Sequence, residues 1–330
     1  MTAWLGDAPD STVLYRIDIM KGDALCLLGA MGKQTRRQPP LLGLRESRLH
    51  EFGDPLWDAM YIEYNDFLLA ADGEDSLRRA AIAAIFENIA HVDTIVFRNI
   101  TPALENAALQ VVAEKKLQLR ILNKQPVFVC DLAKLRTEQN PFLKSLSKSL
   151  QAKIRRSIRR YEERGSVSYR LVETSEEKMR AWDKLLRLHE AGWRMRGKLG
   201  VFANSRFVSF HQRLSKGAPA NCHLFEVSAG HETIGVLYNF VHDGQAINYQ
   251  SGFLFEDDNQ LAPGFVCHAL AAQYYLDQGY ASYDLLAGEA DYKRRLGEEV
   301  TTLTSLAIDR PTWRNKLRCA VKSLISRGGA

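Results

Sequence analysis

The chain has 330 residues, 46% of them hydrophobic and 25% charged, with a formal net charge of +5. That length suits two domains of about 150 residues rather than one core, and the composition is globular rather than disordered or fibrous. No run nears the ~18 apolar residues that a membrane span requires, and the opening MTAWLGDAPD does not read as a signal peptide. The five cysteines (Cys26, Cys130, Cys222, Cys267 and Cys319) are scattered and never in Cys-x-x-Cys spacing. They point to reduced thiols in a cytoplasmic protein, and to neither a zinc site nor a disulfide framework. Charge is localised. Residues 141–165 carry eight Lys/Arg against two Glu, and residues 310–330 carry six and no acid, so these segments hold +12 and the remainder −7. Such a distribution favours a localised anionic partner over a uniformly basic surface.

In chain order, VLYRI (13–17) and ALCLLG (24–29) read as strands, followed by a polar loop, Gly32–Pro40, containing Lys33, Arg36 and Arg37. MYIEYNDFLLA (60–70) reads as a further strand or as an active-site loop. A helix capped by Ser76 is expected to Ala90, since Leu77, Ala80, Ala81, Ala84 and Ile85 recur at helical spacing. Strand TIVFR (94–98), helix 102–115 and strands LQLRIL (117–122) and PVFVCDL (126–132) complete a first α/β unit. Asn140-Pro141 marks a boundary, giving domains 1–140 and 141–310 and a tail, 311–330.

The second domain opens with a helix, Ser147–Arg164, with an apolar stripe at Leu150, Ile154, Ile158 and Tyr161. Lys148, Lys153, Arg155, Arg156, Arg159 and Arg160 occupy much of the rest, a phosphate-binding surface or a solvated helix face. Thr174-x-x-Glu177 is a capping box, and Met179, Trp182, Leu186, His189 and Trp193 form the expected core stripe of a long helix ending at Gly197. His189 on that stripe reads first as a hydrogen-bonded core histidine. Asn204 or Ser205 starts another helix burying Phe207, Phe210 and Leu214. CHLFEVSA (222–229), ETIGVLYNFVH (232–242) and QAINYQSGFLF (245–255) are strands joined by Ala-Gly-His and by the hairpin dipeptide Asp243-Gly244. Pro263-Gly264 then opens a helix whose first N–H groups and dipole suit an anion. Gly279 ends it, and a short strand leads into a Gly-Glu-x-x-Tyr-Lys loop. The tail after Pro311 is amphipathic, with Trp313, Leu317, Val321 and Leu324 on one face. It would pack back on its domain or touch an anionic membrane surface. There is no Ser-His-Asp order, no His-x-x-x-His spacing and no lysine-rich nucleotide loop.

A three-stranded meander, a Gly-containing turn, a helix and another strand is the order of the acyl-CoA-binding core of the GNAT superfamily. Residues 147–297 resemble the GNAT-like family labelled as acetyltransferases involved in cellulose biosynthesis, itself related to the Fem peptidyltransferases. The resemblance is carried by the basic helix 147–165, His189-x-x-x-Trp193-Arg194-x-Arg196-Gly197, Pro263-Gly264 and Asp284-Leu285-Leu286-x-Gly288-Glu289-x-x-Tyr292-Lys293. It implies an α+β fold of tandem GNAT-like domains, each a mixed, mostly antiparallel sheet flanked by helices. Residues 1–140 would be a degenerate copy, and 147–197 a basic helical insertion in the second. It also implies an N-acyltransferase with acetyl-CoA or another acyl-CoA as co-substrate, acting on an amine of a small metabolite or amino sugar in surface polysaccharide synthesis. A Fem-like use of aminoacyl-tRNA, or a non-catalytic binding module, are the alternatives. A tRNA or glycan would be the anionic partner of helix 147–164. By the same resemblance, backbone near Gln250, Ser251, Gly252 and Phe253 holds the thioester, while Gln260, Pro263, Gly264 and Phe265 hold phosphate. Tyr292 protonates the leaving sulfur. Glu226, Asp284, Glu289 and, less favoured, His223 are candidate bases. His189, Trp193, Arg194, Arg196, Tyr249 and Lys293 bind the acceptor, the guanidinium forks suiting carboxylate or phosphate.

Overall fold

The computed structural model describes residues 12–38, 42–54, 56–58, 62–70, 74–217 and 219–327. It divides into two compact units, Pro126–Thr301 (the C-unit) and Thr2–Gln125 with Thr302–Ala330 (the N-unit). The N-unit starts with a meander of β1 (Val13–Lys21), β2 (Ala24–Gln38) and β3 (Leu42–Leu49), with β4 (Leu68–Leu69) beside β2. Helix α1 (Asp75–Asn88), strand β5 (Thr94–Ile100), helix α2 (Pro102–Glu114) and the long strand β6 (Gln118–Asp131) follow. In the C-unit come α3 (Leu132–Thr137), α4 (Phe142–Ser145), α5 (Lys148–Glu162), β7 (Val167–Val172), α6 (Ser175–Arg194) and α7 (Ser205–Gly217). A second meander, β8 (Cys222–Ala229), β9 (Glu232–His242) and β10 (Gln245–Phe253), leads to α8 (Pro263–Asp277), β11 (Ser282–Ala287), α9 (Asp291–Leu296) and β12 (Glu298–Asp309). Helix α10 (Trp313–Arg327) ends the chain's described part.

The order meander, helix, parallel strand, helix, long strand thus occurs twice. In both copies the third strand pairs in parallel with the strand after the helix, Glu46–Arg48 with Thr94–Val96 and Gln245–Ile247 with Ser282–Asp284. Each copy also turns left-handed near the end of that later strand, at Asn99 (φ 46°) and Leu286 (φ 62°). The closing strands are exchanged: β6 pairs with β11 through Val127–Asp131, while β12 pairs with β5 through Thr304–Asp309. The units therefore divide at Gln125/Pro126 and Thr301/Thr302, whereas the sequence suggested 140 and 310. The polar signal at Asn140-Pro141 marks only the start of α4.

Two helical layers bury opposite faces of the C-unit sheet. Leu150, Ile154 and Tyr161 of α5 and Val266, Ala269 and Tyr275 of α8 cover Phe225, Leu237 and Ala246. Ala181, Trp182 and Leu185 of α6 cover Leu224, Val236 and Tyr238. Each fully buried aliphatic side chain contributes about 1.5–3 kcal/mol before entropy is subtracted. A Cβ at Gly252 would stand 2.7 Å from the Leu185 carbonyl oxygen and 2.9 Å from the His189 nitrogen, so this glycine sets how closely α6 lies on β10. On the same face His211 is walled in by Phe207, Phe210, Tyr238, Phe240 and Tyr249. Burial pushes its imidazole down to about 3.

Several local expectations differ from the structure. The polar stretch 32–38 continues β2, pairing Thr35 with Arg45 and Arg37 with Gly43. Residues 118–131 form one strand, whose exposed Asn123-Lys124 interruption falls where β6 leaves one unit for the other. Residues 62–70 are mostly loop, and 60–61 lie outside the described residues. Helix α1 takes Glu74, not Ser76, as its N-cap residue. On α6 the buried stripe is Ala181, Trp182, Leu185 and His189, and Met179 is 56% exposed. Helix α10 buries Asn315 and Arg318, not Trp313 and Leu317, because Arg318 seats on the buried Asp309 carboxylate and the Asn315 amide donates to the Asp93 carbonyl (2.7 Å). Leu324 lies outside the described side chains.

Gly252→Ala is expected to cost roughly 1–3 kcal/mol by overpacking. Gly192→Ala, in open space within α6, should be neutral or stabilising by roughly 0.5–1 kcal/mol. Urea midpoints of the two variants check both signs. A histidine whose folded pKa lies below the ordinary ~6.5 contributes stability that is whole above that pH and lost as pH falls toward the folded value. His211→Phe should therefore flatten the loss of stability between pH 6.5 and 4 by up to about 1.4 kcal/mol per pH unit. An unchanged slope in urea titrations at pH 7, 6 and 5 would refute this.

Candidate active site

Strands β10 and β11 are in register over three pairs only, Gln245–Ile247 with Ser282–Asp284. Beyond them β10 bulges against β9 at Tyr249, and β11 turns left-handed at Leu286. The two strands part, leaving the β11-side backbone groups of Gln250–Phe253 without strand partners among the described residues. Unpaired backbone donors at a strand edge are what a thioester carbonyl or an extended amide can use.

The wall of this opening is aromatic. Phe253 meets the ring of His268 at 5.7 Å, and His268 stacks on Tyr292 (5.3 Å, 16°) with its Nδ1 2.9 Å from the Tyr283 hydroxyl. Burial, with Lys293 nearby, pushes His268 down to about 3, so it is neutral at pH 7. A row of buried hydrogen bonds ends at the parting point. Ser251 Oγ donates to Asn248 Oδ1 (3.1 Å), Asn248 Nδ2 to Asn239 Oδ1 (2.8 Å) and Asn239 Nδ2 to the Tyr275 hydroxyl (3.1 Å), which lies 3.2 Å from His223 Nδ1.

At the mouth stands the start of α8. Pro263 is its first residue and no side chain caps it. The Ala262 N–H is given to Ser157 Oγ (2.9 Å), and those of Gln260 and Leu261 to Asp258. That leaves Gly264 and Phe265 to offer N–H groups to an anion, at the positive end of the helix dipole. Lys153 of α5 and Arg295 of α9 flank it, 5.1 and 5.0 Å from the centre of the Phe265 ring. Gly264 faces Phe253, which a Cβ would meet at 3.3 Å.

Only part of the expected set gathers here. Gln250, Ser251, Gly252, Phe253, Pro263, Gly264, Phe265 and the half-buried Tyr292 lie around the opening. Exposed Gln260 lies in the turn before it. Asp284 spends Oδ1 on the Leu286 N–H (2.6 Å), holding the left-handed turn. Lys293 is buried with its ammonium on the Leu286 and Ala287 carbonyls (3.2 and 2.5 Å), a latch on β11 rather than an open cation. Glu289 is exposed and paired with Arg294 (3.2 Å). Glu226 is elsewhere, gripped by Lys184, Thr233 (2.7 Å) and Arg170 (3.0 Å). Burial pushes its carboxyl up, but those three partners outweigh it and hold the group below the ordinary range, so it is a structural ion and a poor base. His223, pushed down to about 4 chiefly by burial, is part of the hydrogen-bonded row.

The other expected acceptor residues sit on the opposite, α6 face. His189 accepts from Trp193 Nε1 (2.9 Å), Arg194 pairs with Glu190 (2.7 Å), Arg196 lies over the Trp193 ring (5.5 Å), and Tyr249 stacks on Phe207. A cavity lined by His189, Arg194, Lys198 and Phe202 opens beside them. Sequence reasoning missed His268, although its place four residues after Gly264 puts it on the same side of α8.

In the N-unit the equivalent parting of β3 and β5 is stapled shut. Asn65 bridges Ile100, with its N–H on the Asn99 carbonyl (2.9 Å) and its side-chain amide on the Leu49 carbonyl (3.2 Å).

Residues 148–294 match the family described as the acetyltransferase (GNAT) domain. Among solved structures the chain is similar to FemX (11% identity, TM-score 0.54, covering 89% of this chain and 88% of that one). It is also similar to the C-terminal domain of a protein described as a lysylphosphatidylglycerol synthetase from Agrobacterium fabrum (12%, 0.55, 94% and 86%). L-PGS from Bacillus licheniformis is another (11%, 0.54, 98% and 90%). At such identities these likenesses speak for the fold alone. No curated protein matches the chain. The chain therefore has the GNAT fold, mixed sheets flanked by helices and repeated in tandem, and is an acyltransferase of the GNAT type.

Proposed function

We propose that the C-unit transfers an acyl group, acetyl in the simplest case, from acyl-CoA to an amine of a small metabolite or amino sugar. The observation that carries this reading is the β10–β11 opening with an uncapped helix start and two cations at its mouth. The phosphate end of the donor would rest on the Gly264 and Phe265 N–H groups between Lys153 and Arg295. Its pantetheine arm would run along Gln250–Phe253. The amine nitrogen attacks the thioester carbonyl carbon, the C–N bond forms and the C–S bond breaks. Tyr292 gives its proton to the departing thiolate, and the proton lost by the amine restores the tyrosine through water. Asp284, Glu289 and Glu226 are each committed to other partners, which supports water rather than a carboxylate as the first proton acceptor. The aromatic and guanidinium groups at His189, Trp193, Arg194, Arg196 and Tyr249 suit an acceptor bearing a sugar ring and an anionic group. Such a product belongs to surface polysaccharide or lipid assembly on the cytoplasmic side. Aminoacyl-tRNA as donor is the competing reading, favoured by the basic surface of α5.

Calorimetric titration with acetyl-CoA tests this. One equivalent should bind per chain, because Asn65 staples the second opening. Gly264→Val should weaken binding at least about tenfold by crowding Phe253 and the turn. Absence of binding would overturn the proposal. Once an acceptor amine is in hand, Tyr292→Phe should lower kcat about 100-fold with KM for acyl-CoA nearly unchanged. An unaltered kcat would remove Tyr292 from the mechanism.

A further inference from the structure

Helix α5 carries two separate sets of cations. At about 100° per residue, Lys153, Arg160 and, just past the helix, Arg164 share one flank. All three are engaged: Lys153 over Phe265, Arg160 with Asp258 (3.2 Å) and Arg164 with Glu256 (2.8 Å). On the other side Lys148, Arg155, Arg156 and Arg159 fall within a sector of about 100°. All four are exposed, and none pairs with a carboxylate among the described residues; Arg155 contacts only the Gln151 amide (3.1 Å). Like charges one turn apart destabilise a helix by roughly 0.2–0.5 kcal/mol per pair, so a partner that supplies negative charge would relieve the stripe. Exposed Ala152 lies in its middle, where it lets another helix come close.

We propose that this outer stripe docks an acidic helix of a carrier protein that presents the acyl group as a thioester of its phosphopantetheine arm. The inference rests on the acyltransferase reading and extends its donor from a free to a protein-borne thioester. Three observations carry it. At the start of α8 the N–H groups on offer are those of Gly264 and Phe265, since Pro263 has none and Gln260, Leu261 and Ala262 spend theirs within the protein. That suits the single phosphate of a phosphopantetheine arm better than the diphosphate and extra phosphate of CoA. The inner flank of α5 borders that turn, so whatever docks on the outer stripe is held one helix width, about 10 Å, from the phosphate site. The stripe's dimensions and composition complete the argument. Lys148 to Arg159 spans about 16 Å, three helical turns, and ends at exposed Glu162 and Glu163. It has no apolar residue larger than Ala152 to enter a membrane and no aromatic on which a base could stack. Outside its two basic segments the chain carries −7. A long polyanion would therefore run off the stripe onto acidic surface, whereas a short acidic helix would not.

The test titrates the wild-type chain and the Arg155→Glu/Arg159→Glu double variant with acetylated phosphopantetheinyl acyl carrier protein, acetyl-CoA, tRNA and phosphatidylglycerol vesicles. The expected result is carrier binding that weakens about 30-fold in the variant and about tenfold between 50 and 200 mM salt, with acetyl-CoA affinity changed less than about twofold. Arg155→Gln/Arg159→Gln should give an intermediate loss, separating charge from any disturbance of the helix. Binding of acetyl-CoA without the carrier overturns this inference alone. A variant effect confined to tRNA or to vesicles overturns it in favour of those partners. Failure of both thioesters to bind removes the acyl-donor reading beneath it as well.

Discussion

Everything that makes the C-unit a candidate catalyst follows from a shortage of strand pairing. Three residues of β10 hydrogen-bond in parallel with β11, and then the ladder stops. A sheet interior normally cannot leave backbone donors and acceptors without partners, so the break must be built. The Tyr249 bulge bends β10 one way. The left-handed Leu286, held by the Asp284 carboxylate and followed by carbonyls on the Lys293 ammonium, bends β11 the other. Gly252 then lets α6 press against the free strand from behind. Residues that look like acids, bases or substrate cations in the sequence thus serve as the frame of the opening, and its lining is left to backbone, aromatic rings and helix ends.

The duplicated N-unit shows what the same frame becomes when the opening is filled. Its parting strands carry the same left-handed residue, at Asn99, but Asn65 links them through backbone and side chain. Charges have moved into that interior: Arg48 pairs with Glu46 (2.9 Å), and Asp309 holds both Arg120 and Arg318. Burial of ions on this scale is costly unless every partner is present. A dense network of paired ions is compatible with a supporting role and leaves little room for a ligand.

The sequence revealed the meander well because its signals were local. Strand ends at 222–229 and 232–242 match, since Gly230 and Asp243-Gly244 punctuate them and supply the positive φ of the turns. The Thr174 capping box is likewise where its spacing put it. What the pattern could not reveal was pairing at a distance. A polar stretch such as Asn123-Lys124 reads as a break until one sees that it lies inside the single strand β6, just before that strand passes from one unit to the other. Glu226 looked like a base because nothing in the chain's order announces that Lys184 and Arg170 converge on it. His268 was passed over because a histidine within an apolar helix has no sequence signature beyond burial. Asn65, which closes one of the two openings, sits in a stretch with no readable period.

The exchange of closing strands also imposes a timetable. The partner that completes β11, Val127–Asp131, is synthesised before β11 itself, so the C-unit sheet can close as soon as its last strand emerges. Strand β5 instead waits for Thr304–Asp309, about two hundred residues downstream. At roughly 5–20 residues per second, that leaves its edge unpaired for some 10–40 s of each synthesis. The N-terminal half is made first and finished last.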